Sequence, residues 1–162
     1  MSAQDSARRV AVVFNPVKVD VEELKNLTST AAAAHGWQEP VFLATSVDDP
    51  GFGPAQQAAE DGHRMVLAAG GDGTVRAVAA ALRGTDVALV VVPAGTGNLL
   101  ARNLRLPLEI PASVEAAFAG QDTRIDVCTA LLARPDGESE ELDFVVMAGV
   151  GVDAGMIINT DE

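Results

Sequence analysis

Two short glycine-rich segments carry the residue types that can do chemistry in this chain. The first is Gly70-Gly71-Asp72-Gly73-Thr74. It follows the apolar run Met65–Ala69 and precedes an Ala- and Val-rich stretch, so it reads as a turn from a buried strand into a helix. Glycines there allow backbone conformations with φ > 0 and the close approach of a ligand. The amides left unpaired at a helix start favour a phosphate. Thr74 can cap the helix or offer its hydroxyl to a phosphate oxygen. Asp72 by itself repels a phosphate; it makes sense beside a Mg2+ ion, or as the group that orients a reacting hydroxyl. An ordinary glycine turn is the competing reading.

The second segment is Pro93-Ala94-Gly95-Thr96-Gly97-Asn98, again after an apolar strand and before a helix. Asn98 is placed to act as an N-cap, and Thr96 to reach a phosphate. Two such turns after successive strands lie on the carboxyl edge of one parallel sheet, where open α/β folds bind ligands. Neither is a dinucleotide G-x-G-x-x-G fingerprint, because Arg76 stands at its last position. No Gly-Lys-Ser/Thr occurs either, which excludes a P-loop NTPase.

The elements that must position these turns follow from period and punctuation. Val10–Phe14 reads as a first buried strand, ended by Asn15-Pro16. Asp20 and Glu23 predict a capped helix through Ala34, closed by Gly36. Val41–Ala44 is a second strand and Pro54 to Asp61 a second helix, stopped by Gly62. Met65–Ala69 is the third strand, Val75–Leu82 a helix, and Val87–Val92 the fourth strand. Leu99–Leu104 and Ala112–Ala119 read as short helices. This alternation predicts an α/β lobe: a parallel sheet with helices on both faces.

The pattern then changes. Arg124–Ala133 alternates through Ile125, Val127, Thr129 and Leu131, Pro135-Asp136-Gly137 supplies a turn, and Leu142–Met147 runs back. That is hairpin grammar. The domain boundary is placed near residue 121, with an α/β lobe at 1–120 and an incomplete, β-rich second lobe at 121–162. Charge changes at the same place: residues 1–120 carry 13 acids and 9 bases, residues 121–162 carry 10 acids and 2 bases. An unfinished sheet leaves open strand edges, so a homodimer through residues 122–148 is an expectation.

Composition narrows the function class. The chain has 162 residues, long enough to bury about two thirds of its unfolded surface. With five Phe, one Trp and no Tyr, broad aromatic recognition surfaces are not expected. A net charge of −12 argues against a nucleic-acid partner and against electrostatic adsorption to an anionic membrane. Cys128 stands alone, so neither a disulfide framework nor a cysteine metal site is expected. The longest apolar stretch, Val87 to Ala94, is far short of the about 20 residues of a bilayer span. The chain is read as soluble, with no transmembrane segment.

Asn15-Pro16, GGDGT at 70–74 and PAGTGN at 93–98, extended by Leu99-Leu100-Ala101-Arg102, together resemble the diacylglycerol kinase catalytic family. That family includes bacterial lipid kinases and sphingosine kinases. GGDGT alone is shared with NAD kinases; the block P-x-G-T-G-N followed by Ala-Arg points to the lipid-kinase branch. Ala148 to Ala154 is similar to a stretch of the family's second lobe.

The resemblance implies an ATP-dependent phosphorylation of a lipid hydroxyl, of diacylglycerol or sphingoid type, with ATP and Mg2+ as cofactors. It implies a cytoplasmic protein, peripheral at the membrane where its lipid substrate lies. It places Asn15 and Pro16 beside the nucleotide and Thr45 near it. It assigns Gly70, Gly71, Asp72, Gly73 and Thr74 to the phosphates and the Mg2+ environment, with Asp72 the catalytic candidate. Gly95, Thr96, Gly97 and Asn98 form the facing turn. The general base and a structural Mg2+ site are expected beyond Glu162, so these 162 residues alone are expected to be inactive. No metal site is assigned within them, save Asp72 through ATP-bound Mg2+.

Three departures from the family pattern stand out: Val17-Lys18-Val19-Asp20 after Asn15-Pro16, Leu99 where many relatives have Asp, and Arg76 where relatives often have Asn. His35 reads as a helix-end residue, and His63 has no evident partner. Arg102 and Arg105 read as surface arginines, and Asp48-Asp49 and the acids of Glu138–Asp143 as solvated loop charges. NAD kinase-like phosphorylation of a soluble acceptor and a non-catalytic nucleotide-binding module are the alternative functions.

Overall fold

Val10–Phe14 is an unbroken apolar run with three valines, as a strand buried on both faces requires. It forms β1 in a computed structural model that describes residues 8–134 and 137–148. Helix α1 (Val21–Ala34) begins where the Asp20 carboxylate accepts from the Glu23 amide at 3.0 Å. It ends before Gly36, whose φ of 71° turns the chain back. Strand β2 (Val41–Ala44) then runs parallel to β1.

Helix α2 (Phe52–Glu60) starts two residues before the predicted Pro54. The cause is Asp49, whose carboxylate accepts from the amides of Gly51 at 2.9 Å and Gly53 at 3.0 Å. Asp49 is thus a turn-closing residue and not a solvated loop charge; Asp48 is exposed as expected.

Strand β3 (Met65–Gly70), helix α3 (Asp72–Leu82), strand β4 (Ala88–Pro93) and helices α4 (Leu99–Asn103) and α5 (Ile110–Ala119) complete the α/β unit. The sheet has the order β2-β1-β3-β4, all parallel. Side chains alternate across it. Ala11, Val13, Val66 and Ala68 face the core under α2 and α3, with Val75, Val78, Leu100 and Ala101. Val10, Val12, Leu67 and Val92 face the core under α1 and α5, with Leu24 and Val114.

Helix α3 begins at Asp72, three residues before the predicted start, because the Val75 amide already donates to Gly71 at 3.1 Å. Asp72, Gly73 and Thr74 therefore form the first helical turn and not a loop.

After α5 the chain forms the antiparallel hairpin of β5 (Cys128–Ala133) and β6 (Ser139–Phe144). Residues 124–127, the first part of the predicted strand, join no strand. β6 lies three residues earlier than expected, because the turn closes with the Arg134 amide donating to Glu138 at 2.8 Å. Pro135-Asp136 of that turn, and Gly149 to Ala154 of the lobe-two motif, lie outside the described residues.

Arg83, at the end of α3, fastens the hairpin to the α/β unit. It donates to Thr129 Oγ1 at 2.7 Å and pairs with Glu141 and Asp143, each at 3.2 Å. No described helix is long and apolar enough to cross a membrane.

Candidate functional site

The four parallel strands end in register: Phe14 stands opposite both Ala44 and Ala69, and Gly70 opposite Pro93. The residues leaving that edge are therefore Thr45, Asn15, Gly71 and Ala94, in sheet order. The chain leaves β1 toward β2 on one side and reaches β3 on the other. The boundary between β1 and β3 is thus the switch point where open α/β sheets bind ligands.

Asn15 sits at this boundary. Its amide donates to Ala69 at 2.9 Å, and its Oδ1 accepts from Val17 at 3.0 Å, which shapes the turn through Pro16 and leaves Lys18 exposed. Thr45 lies two strands from β3, about 10 Å across the sheet. It is buried, and its methyl packs toward Gly51. The edge brings Asn15 next to the first glycine turn and keeps Thr45 apart from it.

The two glycine turns touch backbone to backbone. The Ala94 amide donates to Gly70 at 2.9 Å. A Cβ on Gly95 would stand 2.6 Å from the Gly71 Cα, closer than real contacts allow. The start of α3 has no side-chain cap, unlike that of α1. The amides of Asp72, Gly73 and Thr74 precede the first intrahelical bond, so the helix gives them no acceptor. Gly73 is exposed there, and a Cβ on it would meet nothing within 4 Å. Thr74 points inward: it is 5% exposed, and its Oγ1 lies 2.7 Å from where a Cβ on Gly70 would stand.

Asn98 departs from its expected part as a cap. It occupies the left-handed region at φ 50° and ψ 46° and makes no capping bond. Its side chain folds back instead, accepting from the Gly95 amide at 2.9 Å and donating to the Gly95 carbonyl at 2.8 Å. The bond to the first amide of α4 comes from Asp72, whose Oδ1 accepts from Leu99 at 2.6 Å. Arg102 reaches back with Nε to the Gly97 carbonyl at 2.8 Å, so it is a turn-closing residue as well as a surface arginine. Sequence reasoning missed both contacts. Asp72 and Leu99 are 27 positions apart, and no local signal links them. Thr96 is exposed on the same turn, and Arg105 follows α4 at φ 57°.

A cleft of about 120 Å³ lies beside this edge, between α3, α4 and residues 144–147. Asp72, Arg76, Leu99 and Val146 are among its lining. A larger groove of about 310 Å³ separates α1 from α5 and includes none of the glycine-turn residues.

Among the described residues, no group of three or more His, Cys, Asp or Glu stands close enough to hold a metal ion. The acids of β6 are paired strand residues and not solvated loop charges: Glu140 pairs with Arg134, and Glu141 and Asp143 with Arg83. The uncapped amides and close-packed glycines fit phosphate oxygens. Among the described residues, the carboxylates do not form a Mg2+ site of their own.

Both histidines lie off the strand ends. His35 stacks on Phe118 and contacts Glu115 through Nε2 at 2.9 Å. His63 is buried and does have a partner, the Ala58 carbonyl, 2.9 Å from its Nδ1.

Similarity to known proteins extends over most of the chain. The family model of the diacylglycerol kinase catalytic domain covers residues 9–130. A probable lipid kinase, YegS-like, of Klebsiella pneumoniae is 32% identical over 99 residues, 60% of this chain and 31% of the relative. A diacylglycerol kinase of Staphylococcus epidermidis is 27% identical over 125 residues, 74% of this chain and 39% of the relative. The crystal structure of a diacylglycerol kinase from Bacillus anthracis superposes with a TM-score of 0.65 at 20% identity. That match covers 93% of this chain and 52% of the other. The chain thus spans less than two fifths of these two curated relatives.

Proposed function

The chain belongs to the diacylglycerol kinase catalytic-domain family, and on that premise we propose that it supplies the ATP-binding part of an ATP-dependent lipid kinase. The observation that carries this reading is the uncapped start of α3 at the switch point, packed against a second glycine turn. In this reading the amides of Asp72, Gly73 and Thr74 take phosphate oxygens, as helix N-termini do. Gly73 leaves their outer face open, while Gly70 and Gly71 allow the close packing of Thr74 and Gly95. Gly95, Thr96, Gly97 and Asn98 form the opposite wall. Asn15 and Pro16 border the nucleotide at the β1 end, and Thr45 orders the neighbouring strand end.

ATP supplies the phosphoryl group, and the acceptor is a lipid hydroxyl of diacylglycerol or sphingoid type at a membrane surface. Positioning and charge stabilisation are what such a transfer asks of a protein. The described residues offer no carboxylate set for Mg2+, so the ion enters this reading only as one carried on the nucleotide. Residues 1–120 are the proposed nucleotide lobe and 121–162 the proposed start of a second lobe.

The test is calorimetric titration with ATP, with and without Mg2+, beside phosphoryl-transfer assays offering diacylglycerol, sphingosine or NAD. ATP binding by residues 1–162, without turnover, is expected. An absence of binding at millimolar ATP overturns the nucleotide reading. Transfer to NAD in preference to either lipid, by a longer chain containing these residues, overturns the lipid reading.

A further inference from the structure

Asp72 has two carboxylate oxygens, and both face the second glycine turn. Oδ1 accepts from the Leu99 amide at 2.6 Å. Oδ2 lies 2.7 Å from the point where a Cβ on Gly97 would stand, so the glycine there is what lets it approach. Leu99 is the first residue of α4, and its own segment provides no cap, since the Asn98 side chain is committed to Gly95. One residue therefore opens α3 and, with its carboxylate, caps α4. Leucine brings no polar atom, so what Asp72 engages at position 99 is backbone.

We propose that Asp72 is a positioning residue that holds the second glycine turn and α4 against the start of α3 through the bond that its Oδ1 accepts from the Leu99 amide. A charged acceptor is well suited to this place. It meets the positive end of α4, and a charge-assisted bond is shorter and stronger than a neutral one. Through it, the spacing of the two turns that form the proposed phosphate cradle is set from inside the fold. Arg102 secures the same turn from its other side through the Gly97 carbonyl.

The nucleotide arm of the test rests on the proposed function; the amide arm does not. Asp72→Asn keeps an oxygen for the Leu99 amide and removes the charge, whereas Asp72→Ala removes both. Hydrogen exchange is followed by NMR at Leu99, with Leu67 as an internal control for folding. The expectation is that Asp72→Asn keeps Leu99 protection within about fivefold, while Asp72→Ala loses about tenfold or more, with Leu67 unchanged in both. ATP affinity follows the same order, with Asp72→Ala weakened about tenfold relative to Asp72→Asn. Leu99 protection that is unaltered by Asp72→Ala overturns the proposal. So does an Asp72→Asn variant that binds ATP as poorly as Asp72→Ala, because then the retained hydrogen bond does not preserve the cradle. If no variant and no wild type binds ATP, the nucleotide reading falls, and the Leu99 amide still decides the positioning role.

Discussion

Asn98 holds both polar backbone groups of Gly95 while itself occupying the left-handed region. The turn is therefore built on one residue doing two things that separate under mutation. Asn98→Ala loses both hydrogen bonds and pays the left-handed cost of an ordinary side chain. It should destabilise the protein by about 2–3 kcal/mol. Asn98→Gly loses the bonds but adopts the conformation freely, and should cost about 1 kcal/mol less. Denaturant midpoints of the two variants measure the difference.

Gly95 and Gly73 should respond in opposite ways to the same added methyl. A Cβ on Gly95 meets the Gly71 backbone at 2.6 Å, which cannot swing aside, so Gly95→Ala should cost about 1–3 kcal/mol. A Cβ on Gly73 meets nothing within 4 Å, inside a helix, so Gly73→Ala should be neutral or stabilising by up to about 1 kcal/mol. On the proposed function it should nevertheless weaken ATP binding, because the methyl occupies ligand space. Thermal melts with and without ATP read both effects.

Asp49 carries a stability role that its exposed-loop sequence context hides. Its carboxylate satisfies two amides at the start of α2, those of Gly51 and Gly53. Asp49→Ala should cost about 1–2 kcal/mol, whereas Asp48→Ala, at an exposed neighbour, should cost less than about 0.5 kcal/mol. Urea denaturation of both variants distinguishes them.

Arg83 is the strap between the hairpin and α3. Its pairs are partly exposed, so each is worth at most about 1 kcal/mol. Their sum acts on a two-stranded ribbon that has little stability of its own. Arg83→Ala should raise hydrogen exchange across β5 and β6 while β1 and β3 keep their protection. Equal loosening of all four strands would show that the hairpin is not held in this way.

The elements of the sheet were legible in the sequence to within about a residue. Val10–Phe14 and Met65–Gly70 are runs whose apolar continuity only a doubly covered parallel strand can bury. Gly36 and Gly62, both at positive φ, mark the helix ends that they terminate. The start of α2 was less legible, because a side-chain carboxylate several residues upstream sets it. The start of α3 inside GGDGT was hidden too, since glycines read as loop even where a helix begins.

By itself, the chain's chemical order determined the alternation of strands and helices, the two glycine turns, and the resemblance that the family match bears out. These are local quantities: period, glycine placement and motif spacing within a few residues. Tertiary structure alone decided that Asp72 caps α4, that Asn98 turns back on Gly95, that Thr74 faces inward and that Arg83 grips the hairpin. Each of these is a contact whose geometry is created by packing. The hydrogen bond from Leu99 to Asp72 exists because β3 and β4 lie side by side and bring positions 27 apart within 2.6 Å.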